Sequence, residues 1–163
     1  MLHLSCVSHG HQKKIASLLQ DLALFADPAW RLTIVCNIPE DLEAPKAFPC
    51  PVEVVRNPVP MGFAANHNQV FKSGEGAFPF FAVLNPDLRL PENPFPPLLQ
   101  SLSDPGVGVA APLVRSPLGE IEASARAFPT PFLLLAKLLG KKDRLWAKEE
   151  TFLAHPPWVA GMC

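Results

Sequence analysis

The chain is expected to fold as an α/β domain around a doubly wound, mostly parallel sheet. Three observations point there. Short apolar runs alternate with segments of helical periodicity. Trp30–Cys36 is nearly continuous in apolar residues at its end, the pattern of a strand covered on both faces. Phe80–Leu84, another apolar run, leads into Asn85-Pro86-Asp87. That puts a carboxylate beyond the carboxyl end of a strand, where open α/β sheets bind their ligands.

Each element has its own signal. Leu2–Ser8 is a short apolar strand and His9-Gly10-His11 a turn. Gln12–Phe25 carries Ile15, Leu18, Leu19, Leu22 and Phe25 at helical spacing, and Asp27-Pro28 stops it. After the strand Trp30–Cys36, a loop rich in Pro and acid (Asn37–Pro51) leads to a third strand, Val52–Val55. Gly62 opens a helix that runs to about Lys72, closed by Ser73-Gly74-Glu75-Gly76. The strand Phe80–Leu84 follows, then a helix within Leu90–Leu102, a fifth apolar segment Val107–Val114, and a hairpin turn at Pro117–Glu120. With right-handed crossovers this order winds helices onto both faces of one sheet. The whole chain, residues 1–163, reads as a single domain.

Composition narrows the function. Hydrophobic residues make up 48% of the 163 and charged ones 18%, a folding composition. The net charge of −1 leaves no basic excess for nucleic acid, so a polyanionic ligand must be met by local groups or a metal. The 20 prolines mark turns and strand ends. Cys6, Cys36, Cys50 and Cys163 form no Cys-x-x-Cys pair, which argues against zinc and for a reduced, cytoplasmic compartment. The N-terminus lacks the pattern of a signal peptide, and no apolar run reaches the roughly 20 residues of a membrane span. Residues 128–146 form an apolar helical segment with a basic flank, Lys137, Lys141, Lys142 and Arg144. It reads as a helix packed on the domain with a solvated basic end, or as a peripheral contact with anionic lipid at the inner membrane face.

Two stretches carry the chemistry. Asp87 can hold a divalent cation, and a cation is what a diphosphate requires; it also fits a turn residue that caps the backbone. In Gly62-Phe63-Ala64-Ala65-Asn66, glycine allows a tight turn after the third strand and the alanines allow close approach. Asn66 and Asn68 offer amides to a sugar or ribose, and Asn66 equally fits a helix N-cap. Phe63 reads as core. His9 and His11 alternate as metal ligands can, yet no third ligand is near them in sequence, so they read as loop residues.

From Val54 onward the chain resembles bacterial family 2 glycosyltransferases, especially the rhamnosyltransferase-like branch. The resemblance is carried by Arg56-Asn57-Pro58, Gly62-Phe63-Ala64-Ala65, Asn68-Gln69, Leu84-Asn85-Pro86-Asp87, Ser124-Ala125-Arg126, Phe128-Pro129-Thr130 and Trp158-Val159-x-Gly161, in the family's order. It implies a GT-A, Rossmann-like fold, a nucleotide-diphosphate sugar donor such as a UDP- or dTDP-sugar, and Mg²⁺ or Mn²⁺. It assigns the metal to Asp87, with Asn85 replacing the first acid of the metal motif. Donor contacts then fall to Ser8, Asn37, Gly62, Asn66, Asn68, Asn85 and Arg126, the last either paired with the diphosphate or equally an anchor for a surface acid. The acceptor implied is a glycan or lipid-linked molecule in cell-surface polysaccharide or glycolipid assembly.

Two departures from the family qualify this. The carboxylate expected at the end of the second strand is replaced by Cys36, with Asn37 and Asp41 as partial substitutes. The family's acceptor half, with its acidic catalytic base, would follow Trp158-Val159, whereas this sequence stops at Cys163, and Glu149-Glu150 do not match that base. The expectation is therefore an inverting glycosyltransferase, or its donor-binding portion, without the C-terminal acceptor half: either a fragment of a longer enzyme or a reduced relative. A non-catalytic nucleotide-sugar-binding or scaffolding domain is the alternative. A nucleotidyltransferase is disfavoured, because the loop after the first strand is poor in glycine.

Overall fold

A computed structural model describes residues 1–122, 124–126, 130–139 and 158–159. The chain divides into two compact units, Met1–Pro94 and Phe95–Cys163.

The first unit is built on four parallel strands, β1 (Leu2–Ser8), β2 (Arg31–Cys36), β3 (Val52–Arg56) and β4 (Phe80–Leu84), in the order β3-β2-β1-β4. This is an all-parallel sheet of Rossmann-like type. Ser8, Cys36 and Arg56 lie in one row across β1, β2 and β3, and Cys6 pairs with Leu84 on the far side of β1. The sheet grows from β1 towards β3, then the chain returns to place β4 on the opposite side. Strand order therefore reverses between β1 and β4, which makes that crevice the switch point of the sheet.

Helix α1 (Gln12–Ala23) joins β1 to β2, and α2 (Phe63–Ser73) joins β3 to β4. Right-handed crossovers stepping in opposite directions put these helices on opposite faces. α1 buries Ile15, Leu18 and Leu22, the stripe its periodicity predicts. Leu2, Leu4 and Cys6 of β1 and Leu32 and Ile34 of β2 are also buried. A buried Leu or Ile contributes roughly 1.5–3 kcal/mol each, so these central strands and α1 hold the unit together. The edge strand β3 instead exposes Glu53 and Arg56, charges that blunt pairing with another sheet.

The face under α2 is polar inside. Ser5 Oγ and His67 Nδ1 are hydrogen-bonded at 2.8 Å, and His3 Nε2 and Thr33 Oγ1 at 2.9 Å, all four residues being buried. Alternation along β1 explains this, since His3 and Ser5 point away from the face used by Leu2, Leu4 and Cys6. Phe78 and Phe81 pack on the His3 ring, and Phe63 meets His67 edge-on with centroids 4.5 Å apart. Phe63 is nonetheless half exposed, so it is no core residue.

In the second unit, α3 (Phe95–Ser101) is followed by a chain reversal in which Arg115 bridges Ile121 around Gly119, at the hairpin turn expected from sequence. β5 (Ala125–Arg126) pairs antiparallel with β6 (Trp158–Val159). α4 (Pro131–Leu138) exposes Phe132, Leu135 and Leu138. The apolar segment 107–114 forms no strand; Gly108 and Pro112 weaken strand pairing, and Val109 stays exposed. The rest of the expected segment 128–146, and Glu149-Glu150, lie outside the described residues. Among the described residues no helix is long and apolar enough to cross a membrane.

Candidate functional site

All four strands of the first unit run the same way, so their carboxyl ends share one edge. Ser8, Asn37, Asn57 and Asn85 follow or end these strands there. The backbone ladder extends one step further, with Asn37 N–H donating to Ser8 O at 2.9 Å and Asn57 N–H donating to Cys36 O at 3.0 Å.

Beyond β2 and β3 an amide cluster holds the loop into α2. Asn37 Oδ1 accepts from Met61 N–H at 2.7 Å, Asn57 Nδ2 at 3.0 Å and Asn66 Nδ2 at 3.1 Å. Asn37 Nδ2 donates to Met61 O, and Asn66 Nδ2 to Met61 O and Gly62 O, each at 3.0 Å. Asn57 Nδ2 also donates to Asn66 Oδ1 at 2.7 Å, and Gln69 Nε2 donates to Asn57 Oδ1 at 3.0 Å. Asn66 is fully buried with every polar atom engaged. It shapes the loop from inside the helix, as neither an N-cap nor an exposed amide. Gly62 is the N-cap, with φ −66° and ψ 157°, a backbone any residue adopts. A Cβ there would meet nothing within 4 Å, so the expected tight glycine turn is absent and the backbone is open to an approaching group. Asn68 is exposed on α2.

Beyond β1 and β2, Ser8 is committed as well. Its Oγ donates to Glu40 Oε2 at 2.8 Å and accepts from His11 N–H at 3.1 Å. Glu40 reaches back from the β2–β3 loop to the place where Cys36 leaves no carboxylate. Its other oxygen, Oε1, is buried without a hydrogen-bond partner. Burial pushes the Cys36 thiol up, and the Glu40 charge adds to the effect, so Cys36 is no thiolate nucleophile. Sequence reading points to Asp41 here. The carboxylate beside Cys36 belongs instead to its neighbour Glu40, which only the loop's path reveals.

At the switch point, β4 ends in a tight turn, with Leu88 N–H donating to Asn85 O at 3.3 Å. Asp87 stands exposed on that turn, and Lys14 Nζ donates to its Oδ2 at 3.2 Å. The Asp87 charge is also felt at the end of β1: burial first, then Asp87, pushes the Cys6 thiol up to about 12. The turn is tied to α1 by Asp21, which accepts from Arg89 Nε at 2.7 Å, Arg89 Nη2 at 3.0 Å and Leu90 N–H at 3.0 Å. Arg126 lies on β5 of the second unit, opposite Trp158.

Among the described residues no three His, Cys, Asp or Glu side chains gather to hold a metal. The donor set suits a different kind of site. One exposed carboxylate, completed by phosphate oxygens and water, is the arrangement in which Mg²⁺ binds with its nucleotide rather than in an all-protein cage. Asp87 already holds a cationic group, the Lys14 ammonium, on one oxygen. No family model, curated protein or solved structure matches the chain.

Proposed function

We propose that this chain is an inverting glycosyltransferase of the family 2, GT-A type, or its donor-binding portion. It would take a UDP- or dTDP-sugar with Mg²⁺ or Mn²⁺ and serve transfer to a glycan or lipid-linked acceptor of the cell surface. The observation that carries this reading is the Asp87 carboxylate, exposed at the carboxyl end of β4 beside the end of β1, at the switch point of a parallel sheet.

The chain's own residues divide the work. Asp87 is the protein ligand of the cation, with Asn85 at the start of the same turn. The cation, when bound, neutralises charge on the leaving diphosphate. The loop at Gly62 offers open backbone to the donor, and Asn68 a free-standing surface for its polar groups. Ser8, Asn37 and Asn66 act one layer back, holding the loops that line the site. Arg126 is the candidate for the diphosphate on the family resemblance alone. The exposed Phe132, Leu135 and Leu138 of α4, followed in sequence by Lys141, Lys142 and Arg144, support peripheral contact with anionic lipid at the cytoplasmic membrane face.

A second reading, a nucleotide-sugar-binding domain without catalysis, is favoured by Cys36 at the end of β2 and by the internal commitment of the amides. Calorimetry with Mn²⁺ and UDP or dTDP tests the shared premise. Metal-dependent binding that Asp87→Ala abolishes supports both readings, and binding indifferent to that substitution overturns both. Turnover of a UDP- or dTDP-sugar then separates them.

A further inference from the structure

Lys14 lies in the first turn of α1, 73 residues before Asp87 in the chain, and its ammonium reaches the carboxylate at 3.2 Å. Both side chains are more than half exposed, at 52% and 57%. An exposed pair of this kind contributes little to stability, so it is poorly suited to hold the turn in place. That task falls to Asp21, whose carboxylate takes both the Arg89 guanidinium and a backbone N–H. The pair also sits at the N-terminal turn of a helix that carries no acidic residue there, a setting favourable to anions.

We propose that Lys14 is an exchangeable counter-ion: it neutralises Asp87 in the empty site and transfers to the diphosphate when a divalent cation arrives with the donor. The proposal rests on the reading of Asp87 as the cation ligand. A carboxylate within reach of both an ammonium and a divalent ion goes to the divalent ion once phosphate oxygens complete its shell. The ammonium, with three donors and no partner, then turns to the nearest anion, the phosphate oxygens beside it. Charges balance at both stages. Asp87 and Lys14 cancel in the empty site. With a nucleotide-sugar diphosphate bearing two negative charges, the divalent ion and the pair again sum to neutrality. When the sugar leaves, the diphosphate gains a negative charge, and Lys14 is already placed against it. Lys14 is thus a residue for diphosphate binding that also tunes the cation site.

The exchange predicts opposite effects of one substitution, which a simple surface pair does not. Lys14→Met removes the competing ammonium, so Mn²⁺ alone binds about two- to five-fold tighter. The same substitution weakens UDP binding in the presence of Mn²⁺ by about ten-fold, and Lys14→Arg restores it. Mn²⁺ is followed by the electron paramagnetic resonance of the free ion and UDP by calorimetry, with a urea midpoint to confirm folding. Unchanged affinities in Lys14→Met, or losses of both together, overturn the exchange while leaving Asp87 as the cation ligand. Absence of Mn²⁺-dependent UDP binding in the unmodified chain overturns the reading of the site and the exchange with it.

Discussion

Arg89 binds the Asp21 carboxylate through two of its nitrogens, Nε at 2.7 Å and Nη2 at 3.0 Å, while Leu90 N–H donates to the same carboxylate. One side chain of α1 thus fixes the segment that carries Asp87. The Arg89 hydrogen bond is the main cause holding the Asp21 carboxyl below its ordinary value, and the Leu90 N–H adds to it against an opposing effect of burial. A carboxyl lowered in the folded state adds stability that is fully present above its unfolded value, about 3.9, and is lost as pH falls through the folded value. Asp21→Ala is expected to cost about 1 kcal/mol, the scale of a charge-assisted hydrogen bond reduced by solvent screening of the exposed guanidinium. It should also flatten acid destabilisation below about pH 4. Urea denaturation between pH 2 and 7 checks both, and an unchanged acid limb sinks the assignment.

Asn66 ties the loop before α2 to the sheet. Its side chain donates to Met61 O and Gly62 O and accepts from Asn57 Nδ2. Asn66→Ala leaves these groups unpaired in a buried site and should cost about 2–3 kcal/mol. Asn66→Asp keeps the shape and the acceptor but loses both donors, so it should be no milder. If Asn66 touched the donor directly instead, both variants would lose UDP affinity at an unchanged urea midpoint. The structure predicts that the midpoint moves first.

Burial lowers the affinity of His67 for a proton, and burial, then the Arg31 charge, does the same for His3 against an opposing effect of Glu53. Both histidines are therefore favoured neutral between β1 and α2. His67 meets Ser5 and Phe63, and its Nε2 is buried without a partner. The unfolded chain takes up the protons first as pH drops below about 6.5, so stability is full above that value and declines towards the lowered folded values. His67→Gln is expected to lower stability at pH 7.5 but to shallow the decline between pH 7 and 5. Thermal midpoints across that range measure it, and a slope equal to that of the unmodified chain would count against the buried-neutral state.

The sheet was the legible part. β1, β2 and β4 are short apolar runs, and the stripe Ile15, Leu18, Leu22 marks α1, because burial on one face or both writes a local pattern into sequence. The carboxylate at the end of β4 was legible for the same reason, since it follows from where the strand stops. What escaped depends on distant partners. Lys14 meets Asp87 across 73 residues and Ser8 meets Glu40 across 32, separations that no local window spans. Asn66 looks like a cap because polar residues cluster at helix starts. The helix begins three residues earlier, and burial against Asn37 and Asn57 decides its role. Residues 107–114 mislead in the opposite sense, being apolar without becoming a strand.

Two glycines at the ends of α2 separate packing from binding. A Cβ on Gly74 would stand 2.5 Å from His3 Nδ1 and 3.0 Å from its Cε1, with Phe78 Cδ2 at 3.4 Å. His3 is buried, bonded to Thr33 and flanked by Phe78 and Phe81, so it has little room to yield. Gly74→Ala should therefore cost about 1–3 kcal/mol by overpacking, although φ of −110° is ordinary for alanine. At Gly62 a Cβ meets nothing and the backbone is already that of an N-cap. Gly62→Ser should leave folding unharmed or improve it by a few tenths of a kcal/mol, roughly the difference between serine and glycine as caps. If the donor approaches the open backbone at Gly62, the added hydroxymethyl group weakens UDP binding while the urea midpoint holds or rises. Gly74→Ala should do the reverse, lowering the midpoint while leaving UDP affinity in the folded fraction unchanged. Unchanged UDP affinity in Gly62→Ser would mean that the loop at Gly62 takes no part in binding.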